Sequence, residues 1–116
     1  SLLRHSDRVH AASLAQLVNV IAPIMTEPGG RLWRQTTFHP FALTARHAVG
    51  EVLAVELASP THETAKFGET PLLDAVATHD AETGDVAVFV VNRSLSDDAT
   101  LEVDLRAFGD LRVAEA

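Results

Sequence analysis

The chain of 116 residues contains no cysteine and no tyrosine, and it has a single tryptophan and a single methionine. Without cysteine it can build neither a disulfide framework nor a thiolate metal site, and this absence fits an intracellular protein. The sequence has no uninterrupted run of 18 apolar residues, so we expect no membrane-spanning helix. It also lacks a basic start followed by an apolar stretch and a cleavage site, so we expect no signal peptide.

Charged residues are few and unevenly distributed. They make up 22% of the chain against 47% hydrophobic residues, a proportion that allows the core of one domain to be buried. The net charge of −7 makes nucleic acids and anionic membranes poor partners. Residues 1–50 hold five arginines against two acids, a net charge of +3, whereas residues 51–116 hold four basic residues against 14 acids, a net charge of −10. This change at Gly50 predicts two structural regions.

The first region has one clear element and one ambiguous element. Residues 36–49 repeat apolar side chains at helical spacing and are followed by Gly50, which predicts a helix. Residues 9–16 are apolar enough for a strand buried on both faces, but the wider stretch 2–21 also fits a helix face, and periodicity leaves both interpretations open. Residues 22–35 contain prolines and glycines that predict a long loop.

The second region is predicted to be antiparallel β-structure. Apolar alternation, divided by turn signals, predicts strands at residues 51–58, 72–79, 86–92, 101–106 and 111–114. The polar stretch between the second and third strands predicts a hairpin connection. Residues 86–92 are apolar on both faces, so we expect them to form a central strand. The fold class is therefore mainly β, an antiparallel sandwich or barrel, and so few strands suggest part of a longer protein.

Six short motifs together resemble one enzyme family. They are Arg-His-Ser-Asp-Arg-Val at 4–9, Leu-Ala-Gln-Leu-Val-Asn-Val-Ile-Ala-Pro-Ile at 14–24, Trp-Arg-Gln-Thr at 33–36, Phe-His-Pro-Phe at 38–41, Ser-Pro-Thr-His at 59–62 and Val-Val-Asn-Arg at 90–93. In this combination the chain is similar to the C-terminal part of the intracellular, retaining α-L-arabinofuranosidases. The resemblance covers nearly the whole chain, and its long second motif is far more specific than a short pattern.

The resemblance implies a (β/α)8 catalytic barrel followed by a β-sandwich of jelly-roll type. Residues 1–50 would be the C-terminal remnant of the barrel, with its eighth strand at 9–16 and its eighth helix at 36–49. Residues 51–116 would be the β-sandwich domain without its last strands. In the intact enzyme, residues 9–16 are therefore expected to be a strand rather than a helix.

The resemblance also implies an activity for the parent protein. Enzymes of this family hydrolyse terminal non-reducing α-L-arabinofuranosyl residues from arabinose-containing oligosaccharides, in the cytoplasm and without a cofactor. A retaining mechanism needs two carboxyl groups about 5–5.5 Å apart, and in the family both are glutamates on earlier barrel strands, outside this chain. We therefore expect no catalytic residue here and no activity from the segment alone. The apolar stretch within residues 2–21 and the edge of the incomplete sandwich have no other protein surface to cover them in this segment, so we expect a homo-oligomer.

Gln16 is the one candidate substrate-binding residue. An amide at the C-terminal end of a barrel strand can donate a hydrogen bond to a sugar oxygen, and in the family the matching glutamine contacts the arabinose nearest the cleaved bond. From the residues alone, an amide that caps neighbouring backbone is the commoner role. Asn19 and Glu27 are expected to serve turns, and Trp33 is expected to pack the loop on the following helix.

Neither a metal site nor a free-standing binding module is favoured. The six histidines lack the spacing of a helical zinc pair, and no cysteine supports them. A β-sandwich module for carbohydrate binding or oligomerisation, without catalysis, is the alternative function. Sugar-binding sheets normally carry several exposed aromatic side chains, whereas residues 51–116 offer only Phe67, Phe89 and Phe108.

Overall fold

Short antiparallel strands dominate residues 2–116, the part of the chain that the computed structural model describes. The strands are β1 (Ile24–Thr26), β2 (Leu32–Arg34), β3 (Glu51–Leu53), β4 (Thr61–Thr64), β5 (Gly68–Pro71), β6 (Leu73–His79) and β7 (Val86–Asn92). The helix α1 spans Phe38–His47, and 3₁₀ turns lie at Leu3–His5 and Arg106–Phe108. All pairings between these strands are antiparallel. The prediction of a mainly β, antiparallel fold is confirmed.

The longest pairing joins β6 and β7. It aligns seven residue pairs and ends with His79 opposite Val86. The connection between the strands is closed by a hydrogen bond of 2.9 Å from the N–H of Asp80 to the carbonyl of Asp85. Gly84 in this connection has a φ of +79°, a conformation that favours glycine. The hairpin predicted between these strands is confirmed.

Strand β6 is the centre of a three-stranded sheet of order β3-β6-β7. It supplies nearly all of the core: Leu73, Ala75, Val76, Ala77 and Thr78 are buried. The prediction that residues 86–92 form a central strand is wrong, because β7 lies at the edge of this sheet. Apolar residues on both faces of a strand indicate that both faces of the sheet are covered by other protein. They do not indicate that the strand has a hydrogen-bonded neighbour on each side.

Two smaller hairpins are present, one before the helix in the chain and one between β3 and β6. Residues 22–35, predicted to be a loop throughout, contain the β1–β2 hairpin, in which Met25 lies opposite Trp33. That prediction is therefore wrong for this hairpin. The β4–β5 hairpin was not predicted, because its threonine, histidine and glutamate residues show no apolar alternation. Its one signal in the sequence is Gly68, which has a φ of +66°.

Helix α1 confirms the helix predicted over residues 36–49, in a shorter form. Pro40 lies in the first turn, where a missing N–H leaves no intrahelical bond unmade. The guanidinium of Arg34 lies over the ring of Phe38, 4.6 Å from its centroid, at the start of the helix. The helix ends where the N–H of Ala48 donates to the carbonyl of Thr44 at 2.9 Å.

Several segments with strand-like sequences form no strand or a shorter one. The predicted strands at 101–106 and 111–114 are wrong, since both segments are irregular, and of the strand predicted at 51–58 only β3 forms. Residues 9–16 are also irregular here, while their role in the intact enzyme stays a prediction. An extended segment becomes a strand only beside a hydrogen-bonding neighbour, and residues 2–116 provide none for these segments.

An ion-pair cluster ties the N-terminal residues to the central strand. The carboxylate of Asp74 in β6 is bound by the guanidinium groups of Arg4 and Arg93, the latter at 3.0 Å. Arg4 also donates to the carbonyl of Ala75 at 2.8 Å. The Asp74 side chain is only 16% exposed, so its charge is compensated by both arginines. We call Arg4, Asp74 and Arg93 the Asp74 cluster.

Gly50 connects the helix to the sheet where a side chain would not fit. Its φ is +79°, and a Cβ atom at this position would collide with the carbonyl oxygen of His79. The same Cβ would lie 2.7 Å from the Cα of Asp80. The backbone therefore passes directly against the end of β6, which requires glycine for two separate reasons.

We expect Gly50→Ala to destabilise the chain more than the matched variant Gly84→Ala. Both glycines have a φ of +79°, but nothing lies within 4 Å of a Cβ at Gly84. Gly84→Ala should lower the free energy of unfolding by about 1 kcal/mol, the cost of an alanine in a left-handed conformation. Gly50→Ala should lower it by about 2–4 kcal/mol, because the backbone must also shift. Urea unfolding followed by circular dichroism measures both losses, and equal values would contradict the role of the close contact.

Candidate functional site

Residues 16–35, which we call the Gln16 loop, are held by hydrogen bonds within the loop. The Oδ1 of Asn19 accepts from the N–H of Thr26 at 2.7 Å, and its Nδ2 donates to the Oγ1 of Thr26 at 2.9 Å. The N–H of Asn19 also donates to the carbonyl of Ile24 at 2.8 Å. The carboxamide thereby closes the turn that leads into β1, and the predicted role of Asn19 in a turn is confirmed.

Gln35 closes the other end of the Gln16 loop. Its Nε2 donates to the carbonyl of Ala22 at 2.9 Å, and its N–H donates to the carbonyl of Pro23 at 2.8 Å. Ala22 is fully buried, and Pro23 beside it is buried as well. The β1–β2 hairpin is thus bracketed on both sides by amide side chains, and the loop carries its own framework up to the start of helix α1.

The backbone of this loop is strained before the hairpin begins. Gln16, Asn19 and Val20 have φ values of +56°, +61° and +58°. Asparagine tolerates this left-handed conformation, but the β-branched Val20 is a genuine outlier. Such conformations cost about 1–3 kcal/mol each and concentrate at functional sites. The strain therefore identifies residues 16–20 as the best candidate for function in the described residues.

Gln16 lies at the start of the loop with its side chain in solvent. It is exposed, and none of the side-chain hydrogen bonds within residues 2–116 involves its amide. A structural amide that caps neighbouring backbone would have a backbone partner, so that role finds no support in the described residues. The amide is available to donate to an external oxygen or to accept from an external hydroxyl.

The remaining polar side chains of the loop serve its hairpin turn. Glu27, the only acid in residues 16–35, lies 3.7 Å from Arg31 between Oε1 and Nε. Its carbonyl accepts from the N–H of Gly30 at 3.0 Å, which confirms its predicted role in a turn. The guanidinium of Arg31 lies 5.1 Å from the ring centroid of Trp33. The packing of Trp33 on helix α1 stays a prediction.

Metal ligands are not brought together in the described residues. Within residues 2–116, no group of three or more histidine, aspartate or glutamate side chains is placed to hold a metal ion. The single acid of the Gln16 loop also leaves it without the paired carboxyl groups that glycoside hydrolysis requires. No helix in this part of the chain has both the length and the apolar character needed to cross a membrane.

An open apolar groove of about 910 Å³ lies between one face of the sheet and residues 101–108. The sheet side is lined by Leu53, Ala75, Ala77 and Val88. Phe108, which also lines the groove, contacts the ring of His79, with centroids 5.1 Å apart. The groove is open and the side formed by the sheet is apolar, so we interpret it as loosely packed interior rather than as a ligand site.

Two of the charged residues that line this groove pair with each other. The side chain of Arg106 donates to Asp104 through Nε at 2.9 Å and through Nη2 at 2.6 Å. The side-chain hydrogen bond from Arg106 is the main cause that lowers the pKa of Asp104. Both side chains are exposed, and each charge is compensated by the other.

The Asp74 cluster was not predicted from the sequence. Asp74 is the only charged residue in the strand Leu73–His79, and an acid among buried apolar residues requires a cation. The presence of Asp74 in this strand could therefore have indicated a cationic partner elsewhere in the chain. Identifying Arg4 as one of the two partners required the structure, because the two residues lie 70 positions apart.

Comparison with known proteins identifies close relatives. The family profile described as alpha-L-arabinofuranosidase C-terminal domain matches residues 1–116. An exo-alpha-(1->6)-L-arabinofuranosidase from Bifidobacterium longum is 65% identical over 96 residues, which cover 82% of this chain and 18% of that protein. An intracellular exo-alpha-(1->5)-L-arabinofuranosidase from Streptomyces lividans is 56% identical over 115 residues, which cover 99% of this chain and 17% of that protein.

A solved structure is similar as well. The structure of a family 51 alpha-L-arabinofuranosidase from Bifidobacterium longum matches with a TM-score of 0.76 and 52% sequence identity. The match covers 82% of this chain and 19% of that one. The chain thus spans less than a fifth of the length of these relatives.

We expect Asn19→Ala to loosen the Gln16 loop while the sheet stays folded. The variant removes the three hydrogen bonds between the carboxamide and Thr26 and leaves an alanine at a φ of +61°. The amide proton of Thr26 should then exchange with solvent about tenfold faster, the factor that corresponds to one hydrogen bond. Hydrogen exchange followed by NMR measures this rate.

The matched control is Asn19→Gly, which removes the same carboxamide but tolerates the left-handed backbone. It should also accelerate exchange at Thr26, with a smaller loss of global stability than Asn19→Ala. Unchanged exchange at Thr26 in both variants would contradict the role of the carboxamide in this turn.

Proposed function

The chain belongs to the α-L-arabinofuranosidase C-terminal domain family, and we propose that its parent protein is an exo-acting α-L-arabinofuranosidase. The observation that carries the proposal is the match over all 116 residues, on both sides of Gly50. The parent releases terminal non-reducing α-L-arabinofuranosyl residues from arabinose-containing oligosaccharides. The relatives from Streptomyces lividans and Bifidobacterium longum, named as exo-acting α-L-arabinofuranosidases, support this substrate class.

The proposal names no preferred linkage. Relatives named for the α-(1→6) linkage and for the α-(1→5) linkage share this region with it at 65% and 56% identity. The proposal therefore extends to terminal arabinofuranosyl groups of either linkage.

The proposed mechanism is hydrolysis with retention, and both catalytic carboxyl groups lie outside this chain. One carboxylate attacks the anomeric carbon while the other carboxyl group protonates the leaving oxygen; the latter then activates the water that releases the sugar. Glu27 is bound within its own hairpin turn by Arg31 and serves neither role. No step of the proposed reaction requires a metal ion or cofactor.

Within this mechanism, Gln16 binds the arabinofuranosyl group. Its exposed amide, without a partner in the described residues, supports this role. A neutral amide can hold a sugar hydroxyl without a charge that would perturb the pKa of the nearby carboxyl groups. The strained backbone at Gln16 fits a side chain whose direction is fixed for binding.

The proposed domain division places residues 1–50 in the catalytic barrel and residues 51–116 in the β-sandwich. The change from a net charge of +3 to −10 and the tight connection at Gly50 support this boundary. In a barrel, residues 9–16 would gain a strand on each side, which supplies the hydrogen-bonding neighbours that this chain lacks. The Asp74 cluster would then link the barrel to the sandwich.

The proposed setting is the cytoplasm, and the proposed assembly is a homo-oligomer. The relative from Streptomyces lividans is named as intracellular, and the absence of cysteine fits a reducing compartment. Exposed apolar side chains at Leu17, Val20 and Ile21, each more than 70% exposed, support burial against other protein surface.

A free-standing carbohydrate-binding module is the weaker alternative. Of the three phenylalanines in residues 51–116, only Phe67 is largely exposed, and Lys66 lies 5.2 Å from its ring centroid. Phe108 packs against His79. A sugar-binding sheet needs several aromatic rings side by side in solvent, and the described residues do not arrange them so.

We expect the 116-residue chain alone to hydrolyse no aryl α-L-arabinofuranoside, because the paired carboxyl groups are supplied by other segments. The full-length parent should hydrolyse the same substrate with retention of configuration. A chromogenic assay measures the rate, and NMR of the first-formed sugar measures the stereochemistry. Turnover by the isolated chain at an ordinary enzymatic rate would contradict the proposal.

We expect Gln16→Ala in the full-length parent to weaken transition-state stabilisation by about 1–3 kcal/mol, the scale of one well-placed polar contact. The measurement is kcat/KM on an aryl α-L-arabinofuranoside, with circular dichroism to show that the fold is retained. Thr83→Ala, in the exposed connection between β6 and β7, is the control and should leave kcat/KM unchanged. An unchanged kcat/KM in Gln16→Ala would show that Gln16 does not bind substrate.

A further inference from the structure

Three of the six sequence motifs meet at residues 71–75, where β5 passes into β6. From the motif at 59–62, the carbonyl of Pro60 accepts from the N–H of Leu72 at 2.8 Å. From the motifs at the two ends of the chain, the guanidinium groups of Arg93 and Arg4 donate to backbone carbonyls in the same stretch, at 2.9 and 2.8 Å. Motifs that have no part in the proposed reaction therefore share one region of contact.

Arg93 holds the carboxylate of Asp74 from within the sheet. Its N–H donates to the carbonyl of Leu72 at 2.8 Å. Its guanidinium spans the carbonyl of Pro71, at 2.9 Å, and the Oδ2 of Asp74, at 3.0 Å. None of these bonds involves the N-terminal residues, so the position of the carboxylate is set by the sheet itself. The second carboxylate oxygen, Oδ1, is left for another cation.

Arg4 binds two acceptors that successive residues of β6 provide. Its Nη2 donates to the Oδ1 of Asp74 and to the carbonyl of Ala75, the latter at 2.8 Å. The carbonyls of Ala75 and Ala77 point to the same edge of β6, the edge that faces β3. Because β3 pairs with β6 only as far as Ala77, the guanidinium of Arg4 supplies the donor at the next position along this edge.

The turn that contains Arg4 is closed by its own hydrogen bonds. The N–H groups of Arg8 and Val9 both donate to the carbonyl of His5, at 3.0 and 2.7 Å. The guanidinium of Arg8 also lies 3.0 Å from the Nδ1 of His5, between Nη2 and the ring nitrogen. The turn is thus one unit as far as Val9, and the binding of Arg4 fixes its orientation against β6.

We propose that Asp74 is a positioning residue for the segment that carries Gln16, and that it acts through Arg4. Val9, the last residue of the anchored turn, opens the segment 9–16. As the proposed barrel strand, this segment places Gln16 about 23 Å from Val9, so a tilt of about 3° at its start displaces Gln16 by about 1 Å. A misplacement of about 1 Å can cost up to about a hundredfold in rate. The inference rests on the proposed function, since it concerns the substrate-binding role of Gln16.

The first test is kcat/KM of the full-length parent on an aryl α-L-arabinofuranoside, with circular dichroism to show that the fold is retained. Asp74→Asn offers one acceptor oxygen for two arginines, and we expect a loss of about tenfold. Asp74→Glu keeps the charge and both oxygens, and it should lose less than about threefold. The matched control is Asp104→Asn, which removes the exposed ion pair to Arg106 and should leave kcat/KM unchanged. An unchanged kcat/KM in Asp74→Asn would overturn the inference.

Combination with Gln16→Ala distinguishes positioning from general structural support. If Asp74 acts through Gln16, the variant with both Asp74→Asn and Gln16→Ala loses no more activity than Gln16→Ala alone. Independent effects would instead multiply the two losses, and that result would overturn the inference. An unchanged kcat/KM in Gln16→Ala would remove the proposed role of Gln16 and this inference together. A loss in Gln16→Ala but none in Asp74→Asn would remove the inference alone.

Arg4→Met keeps the inference testable if Asp74→Asn does not fold, because it leaves Asp74 bound to Arg93. In the full-length parent it should lower kcat/KM about tenfold, with no further loss when combined with Gln16→Ala. The amide proton of Val9 should also exchange with solvent about tenfold faster, since its turn is no longer anchored. Mass spectrometry of hydrogen exchange measures this rate independently of activity. A folded Arg4→Met variant with unchanged kcat/KM, or with unchanged exchange at Val9, would overturn the inference.

Discussion

The burial of strand β6 is the constraint on which the rest of the structure depends. Of the buried residues in the described part of the chain, all but Ala22 and Pro23 lie in this strand. Two of its five buried residues are alanines and one is a threonine, so the strand contributes limited apolar area, and the backbone ladders to β3 and β7 carry much of the organisation. Other elements are positioned by this strand: Gly50 passes against its end, and Asp74 within it binds the N-terminal segment.

The uneven charge of the chain has a structural counterpart in the Asp74 cluster. The first 50 residues carry a net charge of +3 and the remainder −10, and Arg4 crosses from one region to the other to reach Asp74. His47 and Glu115 make a second, more exposed contact of 3.9 Å across the same boundary. Exposed pairs contribute less than about 1 kcal/mol. A carboxylate that is 16% exposed and held by two arginines is harder to replace, because removal of either cation leaves it less compensated.

The elements that could be predicted from the sequence are those determined by residues close to one another in the chain. The β6–β7 hairpin and helix α1 follow from local periodicity and turn residues, and both are confirmed. The segment 101–106 alternates as cleanly as any strand, yet it stays irregular because no neighbour offers it hydrogen bonds. The edge position of β7 was missed for the same reason: its lateral partner is a property of the whole sheet. In the candidate site, the turn roles of Asn19 and Glu27 were local and predictable, while the role of Gln16 stays a prediction.

The distinction between interactions that are local in sequence and those that join distant segments also applies to the proposed active site. It explains how this segment can contain one proposed binding residue and no catalytic residue. The Gln16 loop is held by bonds from Asn19 to Thr26 and from Gln35 to Ala22, all between residues close in sequence. A short segment can therefore fix the backbone from which Gln16 projects. A pair of carboxyl groups about 5–5.5 Å apart is different, because it requires two strands held side by side. Local loop geometry of the first kind is present in this chain, whereas a pair of the second kind depends on strands that are distant in sequence.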